Sequence, residues 1–281
     1  MKRTFFAALF LLVLSAVYAE SNRIGVLVLA HGGSPQWNAR VEQAVKEAQL
    51  PYPTEISFGM GMMQPEVRNL QQAVDRLQSQ GVKRILAVPL LVSSYSSVYR
   101  QYQYLLGQRQ ESSWAEHPVQ PIRKEAGIQI LKALDDSDLV AQILLERALK
   151  LSRDPSREAV VLVAHGPEEN EENRLWLAAM ESLGRKVREG GRFAALSVAT
   201  LQDDAPQAIR EEATKRLREQ VSVLAERYKV LVVPLLLSQN GIEEKVRERL
   251  TGLSYVYTGV ALLPHPNITR WIRRQVERAI S

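Results

Sequence analysis

The sequence predicts an α/β protein made of two tandem, doubly wound parallel-sheet units. Three observations carry that prediction. A phrase near the start, Ile24-Gly-Val-Leu-Val-Leu-Ala-His31-Gly-Gly-Ser34, returns near the middle as Ala159-Val-Val-Leu-Val-Ala-His165-Gly-Pro-Glu168. Each is a continuous apolar, β-branched-rich run closed by glycine, the pattern of a strand buried on both faces. A later run, Arg84-Ile-Leu-Ala-Val-Pro-Leu-Leu-Val-Ser93, matches Lys229-Val-Leu-Val-Val-Pro-Leu-Leu-Leu-Ser238. Helical patterns lie between these runs, and strands separated by helices imply right-handed crossovers and a parallel sheet.

The first unit covers residues 23–152. After its opening strand, Pro35 to Gln49 reads as a helix with Trp37, Val41, Ala44 and Val45 on one face. Thr54 to Phe58 is a short strand that runs into Gly59-Met60-Gly61-Met62-Met63-Gln64-Pro65, a loop without periodicity. Pro65 opens a helix carrying Val67, Leu70, Ala73, Val74 and Leu77, closed by Gly81. Arg84 to Val92 is the third strand, and Ser93 to Gly107 is rich in tyrosine. Gly127 to Leu131 is the fourth strand. Asp135-Asp-Ser-Asp138 then starts a helix with Leu139, Val140, Ile143, Leu144 and Leu151. Ser152 to Arg157, polar and holding Pro155, is the break between units.

The second unit, residues 158–281, repeats the order. Val160 to Ala164 is a strand, Glu171 to Glu189 a helix with Leu175, Ala179, Leu183 and Val187, and Phe193 to Thr200 a strand. Asp203-Asp204-Ala-Pro206 reads as the cap of a long helix with Ile209, Ala213, Leu217, Val221 and Leu224. Val230 to Leu237 and Val256 to Leu263 are the last strands. Pro264-His265-Pro266-Asn267 leads into a final helix with Ile268, Trp271, Ile272 and Val276.

Length and composition fit two units: the chain has 281 residues, 46% hydrophobic and 24% charged, and domains commonly run to roughly 100–150 residues. Residues 1–19 read as a secretory signal. Lys2-Arg3 is the charged start, Phe5 to Leu14 is strongly apolar, and Val17-Tyr18-Ala19 offers small residues for cleavage. The apolar run is shorter than the roughly 18–20 residues a membrane span requires. The expected product is periplasmic or secreted, with no membrane attachment after cleavage. Loss of Lys2 and Arg3 leaves 34 basic against 31 acidic residues, a net +3. That balance, without basic-aromatic interleaving, argues against a nucleic-acid partner. The sequence has no cysteine, so burial alone must hold the fold.

No phosphate-binding loop is present: Gly32-Gly33 follows a strand but lacks the Gly-x-Gly-x-x-Gly spacing. Ser34 and Ser93 lack a nucleophile-elbow context. The histidines remain. His31 and His165 stand 134 positions apart at equivalent strand ends, and open parallel sheets bind ligands at the carboxyl ends of their strands. A lone histidine is more often structural, but recurrence in two units raises a ligand or base to an equal reading. Beside His165 stand Glu168, Glu169, Glu171 and Glu172. Imidazole with carboxylate suits divalent cobalt, iron, nickel or zinc. The alternative is a solvated helix start favoured by the dipole, and it is preferred for Glu171 and Glu172. His265, between two prolines, is a helix-start residue or a ligand. His117 lies in a polar stretch and reads as surface. Met60, Met62 and Met63 are soft enough for Cu(I) but read better as adaptable lining. With Tyr95, Tyr99, Tyr102 and Tyr104 nearby, they suit a broad, flat, apolar ligand.

Strand-Ala-His-Gly, strand-Val-Pro-Leu-Leu-Leu-Ser, and Leu262-Leu-Pro-His-Pro266 before the last helix together resemble the class II chelatases. The closest resemblance is to the sirohydrochlorin cobaltochelatase and ferrochelatase family, with two family units spanning residues 23–281. The resemblance implies two chelatase-like, flavodoxin-like three-layer lobes. It implies insertion of Co²⁺, or of Fe²⁺ or Ni²⁺, into a tetrapyrrole, without an organic cofactor. It also implies that the first-strand histidine, His31 or His165, binds metal or takes pyrrole protons. Two features of the family are missing. Its second metal-binding histidine falls near Ser97 and Ile242 here, and its acid after the second strand falls near Met60 or Gly61. Two hypotheses follow. One is an exported chelatase with His31 and His165 catalytic and Glu168 or Glu169 as proton acceptor or metal ligand. The other is a non-catalytic exported binder of tetrapyrrole or metal.

The expected architecture joins these residues. Units that face each other turn both imidazoles into the cleft between them, the usual place for a ligand. Met60, Met62, Met63, Tyr95 and Tyr99 would line it from the first unit, with Asn240 across from them. His31, His165, Glu168, Glu169 and His265 are the metal candidates. A two-unit monomer is expected.

Overall fold

The computed structural model describes residues 23–114, 116 and 118–281. The secretory-signal reading and the surface reading of His117 fall outside the described residues. The first unit runs β1 (Ile24–Ala30), α1 (Pro35–Ala48), β2 (Thr54–Phe58), α2 (Gln64–Ser79), β3 (Arg84–Pro89), α3 (Ser97–Leu105), β4 (Gly127–Ile130) and α4 (Asp138–Leu151). A 3-10 turn at Pro155–Arg157 follows. The second unit runs β5 (Glu158–Ala164), α5 (Asn170–Gly191), β6 (Ala195–Thr200), α6 (Gln207–Ala225), β7 (Lys229–Leu235), α7 (Ile242–Arg249), β8 (Val256–Tyr257) and α8 (Pro266–Ile280). Both sheets are parallel, with orders β2-β1-β3-β4 and β6-β5-β7-β8. Each unit is therefore a four-stranded sheet wound in both directions from its first strand.

The continuous apolar strands are buried on both faces, as their composition requires. In β1, Val26, Val28 and Ala30 face the centre of the molecule, while Leu27 and Leu29 face α2 and α3. In β5, Val160, Leu162 and Ala164 face the centre, and Val161 and Val163 face α6 and α7. The two-residue period of a strand makes this division automatic.

Each sheet carries helices on both faces, as expected of two doubly wound three-layer units, and the inner helical layer is shared between them. One central hydrophobic core contains residues of both. The helices α1, α4, α5 and α8 form a single layer between the sheets, with α4 packed on α5 and α8, and α1 packed on α8. The last helix of each unit lies against the other unit's sheet: α4 contacts β7 and α8 contacts β3. Polar ties follow the same exchange. Arg84 at the start of β3 donates to the Ala279 carbonyl at 2.8 Å, and the Asn267 amide donates to the Leu139 carbonyl at 3.3 Å. The order is helices, sheet, shared helices, sheet, helices.

Several element limits differ from the sequence expectation. The run Val256 to Leu263 is a strand only over Val256–Tyr257, because Gly259, at φ 70°, turns the chain out of the ladder. Segments 97–105 and 242–249 are helices that the sequence pattern did not resolve. The α5 core face carries Trp176, Met180, Leu183 and Val187, whereas Leu175 and Ala179 are only half-buried.

A shared core makes the two units one folding unit. Ile143 in α4 and Ile272 in α8 are fully buried in it. Ile143→Ala and Ile272→Ala should each cost about 2–5 kcal/mol. Fluorescence and circular dichroism should still report one denaturation transition, displaced for both halves together. Two separable transitions in either variant would contradict the shared layer.

Candidate functional site

The carboxyl ends of the strands open on a cleft of about 520 Å³ between the units. Its floor is built by the repeated phrase. Gly32 and Gly166 sit at φ 82° and 78°, so the chain turns sharply directly after each histidine. In both units the same bond orients the ring. His31 Nδ1 lies 2.8 Å from the Gly32 carbonyl and His165 Nδ1 lies 2.9 Å from the Gly166 carbonyl. A carbonyl only accepts, so Nδ1 carries a proton, and in the neutral ring Nε2 keeps its lone pair. Both histidines line the cleft.

The two walls differ. On the first unit's side stand Met60, Met62, Trp37 and Trp114. The methionine loop is held by Glu66, which accepts from the Met62 and Met63 amides at 2.9 and 3.2 Å. Gln101, fully buried, donates to the Gly61 carbonyl and accepts from Ser112 and Ser113. It thereby fastens the segment that carries Trp114. On the second unit's side stand Glu168, Asp204, Trp176 and Asn240. A buried network holds this wall: Thr200 donates to Asn173, Asn173 to Gln202, and the Gln202 amide to the His165 carbonyl. Across the gap, the Ser34 amide donates to Asn240 at 3.4 Å and Arg40 to the Ser238 hydroxyl at 3.3 Å. Arg100 of α3 pairs with the buried Glu172 of α5.

His165 has an acidic neighbour that the sequence reading missed. Its Nε2 lies 3.4 Å from Asp204 Oδ2. Ligand atoms of His165, Asp203 and Asp204 all lie within 4.8 Å of one another. Both carboxylate oxygens of Asp203 are taken by Lys245 and Arg249, so Asp204 is the available one. With Nδ1 donating to the backbone, Nε2 and Oδ2 are two acceptors face to face. That arrangement is favourable only with a cation between them, either a proton or a metal ion. Glu168 lines the same wall. Burial, then the charges of Asp204, Glu169 and Glu116, hold its carboxyl above the usual range.

The signal for Asp204 was in the repeat. Phe58 pairs with Ala30 and Thr200 with Ala164 in the same register, so Asp203-Asp204 occupies the places of Gly61-Met62. The pair does not cap α6. That helix starts at Gln207 after Pro206 and has no side-chain cap.

Five expected site residues lie elsewhere. Met63 points to solvent, 55% exposed. Tyr95 borders a different surface groove with Lys132 and Arg274. Tyr99 is buried on the inner face of α3, its hydroxyl donating to the Leu131 carbonyl at 3.1 Å. Glu169 is the residue before α5, its carbonyl accepting from the Asn173 amide, and does not line the cleft. His265 is a helix-start residue. Its Nδ1 accepts from the Asn267 amide at 3.1 Å, and its Nε2 faces Glu146 at 2.9 Å. That bond, with Lys150, pulls the Glu146 carboxyl down to about 2. By contrast, Ser97 and Ile242, the places of the missing second histidines, both line the cleft.

Residues 25–151 match the family model described as CbiX. No curated protein matches the chain. Among solved structures it is similar to SirB from Bacillus subtilis with Fe3+, at 16% identity and TM-score 0.63, over 91% of this chain and 95% of that one. It is similar to the sirohydrochlorin chelatase SirB from Bacillus subtilis subspecies spizizenii in complex with cobalt, at 13% identity and TM-score 0.62, over 91% and 94%. A multi-domain Deinococcus radiodurans protein with structural similarity to chelatases matches at 18% identity and TM-score 0.55, over 90% of this chain and 55% of that one. At these identities the likeness is one of fold.

Two measurements check this geometry. A Cβ on Gly166 would lie 2.6 Å from Thr200 Cβ, against 3.3 Å from Phe58 Cβ for Gly32. Gly32→Ala should cost about 1 kcal/mol or more through φ alone, and Gly166→Ala roughly 1–2 kcal/mol beyond that. Equal losses in denaturant melts would contradict the close packing at Gly166. Separately, Asp204→Asn should bring the Glu168 carboxyl back down toward the ordinary range in an NMR titration. An unmoved Glu168 would mean that the two carboxylates do not share a field.

Proposed function

We propose that this chain, whose N-terminal unit belongs to the CbiX family, is a metal chelatase that inserts a divalent ion into a tetrapyrrole. One observation carries the reading: two imidazole Nε2 atoms open on one apolar cleft, and one of them faces a carboxylate across 3.4 Å. Insertion exchanges one divalent ion for two pyrrole N–H protons. It therefore needs ligands on one side of the macrocycle and proton acceptors within reach. His165, Asp204 and Glu168 supply a nitrogen and oxygens suited to Co²⁺, Fe²⁺ or Ni²⁺. His31 Nε2, on the other wall and without an acidic partner among the described residues, is placed to act as the proton acceptor. Met60, Met62 and the tryptophans offer flat, apolar contact to the ring. Cobalt stands first among the metals by the resemblance of the motifs. Export, read from residues 1–19, belongs to the same proposal.

A second reading has its own observation. Ser97 and Ile242 line the cleft where the family carries histidine, so each wall offers one imidazole. A protein with that site binds tetrapyrrole or metal without turning it over.

The test uses the chain from residue 20 onward with Co²⁺, Fe²⁺ or Ni²⁺ and a panel of tetrapyrroles, including sirohydrochlorin, followed by absorbance. Metal insertion should exceed the metal-alone control, and His31→Ala and His165→Ala should each lower the rate by about 100-fold or more. No rate above that control with any pair, together with tight porphyrin binding, would replace the enzyme by the binder. Binding no tighter than about 100 μM, or ~5.5 kcal/mol, for both ligand classes would remove both readings.

A further inference from the structure

Beyond the ends of the strands the chain stays paired, and the two units use that pairing differently. The Leu134 and Asp135 amides donate to the Leu91 and Val92 carbonyls at 3.0 and 3.1 Å, and the Leu262 and Leu263 amides donate to the Leu236 and Leu237 carbonyls at 2.8 Å. Asp135 therefore occupies in the first unit the place that Leu263 holds in the second. Its backbone is left-handed, at φ 41°, a region that aspartate and asparagine tolerate better than other non-glycine residues. Its carboxylate takes two bonds from one residue: the Ser94 amide donates to Oδ1 at 2.7 Å and the Ser94 hydroxyl to Oδ2 at 2.8 Å. The same hydroxyl accepts from the Ala133 amide at 2.9 Å. Burial pushes the Asp135 carboxyl above the usual carboxylate range, and the Ser94 bonds pull against it.

An apolar residue fills this place in the second unit, so the fold itself does not require a carboxylate there. A desolvated carboxylate and a left-handed non-glycine residue both cost stability, and such costs gather at functional sites. What Asp135 holds is one wall of the cleft. Ser94 turns to Asp135, while its neighbours Ser93, Ser96 and Ser97 line the cleft. Ser96 also caps α3, its hydroxyl accepting from the Tyr99 amide at 3.2 Å, so the same turn fixes the start of that helix. In the second unit Gln239 stands in the place of Ser94 and donates to the Gly259 carbonyl at 3.1 Å instead. We propose that Asp135 is a positioning residue of the cleft: through Ser94 it presets the turn at residues 93–97, so that the first unit's wall has its receiving shape before the macrocycle arrives. A surface shaped in advance loses less freedom on binding. The inference rests on the tetrapyrrole reading above and assigns part of the ring's binding to this turn. His165 and Asp204 stand on the other wall and do not depend on it.

The test separates the two walls. Binding of a metal-free porphyrin is followed by tryptophan quenching, and binding of Co²⁺ alone by calorimetry, in the chain from residue 20 onward and in D135N, D135G and S94A. Glycine takes the left-handed backbone without strain but removes both bonds, whereas asparagine keeps one acceptor oxygen. D135G should weaken porphyrin binding by about tenfold or more, and D135N should lie between it and the unsubstituted chain. Co²⁺ affinity should stay within about twofold throughout. Because Asp135 acts through Ser94, S94A should weaken porphyrin binding as well, and S94A/D135G should bind little worse than D135G alone. Should D135G fail to fold, D135N and S94A carry the same comparison. Unchanged porphyrin affinity in the variants, or Co²⁺ affinity lost in step with it, would overturn the positioning role while leaving the tetrapyrrole site standing. Absence of porphyrin binding in the unsubstituted chain would instead overturn the tetrapyrrole reading, and the role of Asp135 with it.

Discussion

Burial of the inner face of each sheet is the constraint on which the rest of the structure depends. Strands β1 and β5 are apolar on both sides, so each sheet must be covered twice. Its own unit supplies the outer cover, α2 with α3 or α6 with α7. The inner cover is a joint product: α1, α4, α5 and α8 together, with α4 and α8 exchanged across the middle. Without disulfides, this apolar layer is what fixes one unit against the other. The separation and facing of the strand ends, and therefore the width of the cleft, are set by the packing of those four helices.

On that frame the two walls use one backbone device for different chemistry. Strand, histidine and left-handed glycine recur, and so does the Nδ1 bond that leaves Nε2 open. Beyond that point the side chains diverge. After β2 the loop is methionine, held by Glu66 from below. After β6 it is aspartate, with Asp203 tied back to Lys245 and Arg249 so that Asp204 is left facing His165. Arg100–Glu172 and Arg40–Ser238 tie one unit to the other. Glu172 is buried and Arg100 only partly so, and removing the arginine would leave the buried carboxylate without its partner.

The architecture was legible because it rests on periodicity and repetition, both properties of the linear chain. The two His-Gly phrases and the two Val-Pro-Leu-Leu runs are enough to order the strands and to place His31 and His165 at one end of them. What escaped depends on rotation rather than order. Tyr99 follows the right strand but lies on the inward side of α3, and Tyr95 turns into a neighbouring groove. Helix α7 was invisible because Val246 is its only buried apolar residue. Asp204 was hidden by a competing local meaning, since two aspartates before a proline look like a helix cap. Only the strand register shows that they stand where the other unit has Gly61 and Met62. His265 lost its ligand reading to a similar local use, as the residue that opens α8.

The short link at Pro155–Arg157 has a consequence for what such a site can become. Two identical copies of one such unit, paired about a twofold axis, must present identical walls, because every substitution appears on both sides at once. A covalent join lifts that restriction. One wall is then free to turn apolar while the other keeps its carboxylates, although both are built on the same strands. The difference between Met62 and Asp204 is the kind of asymmetry that a symmetric pair has no means to produce.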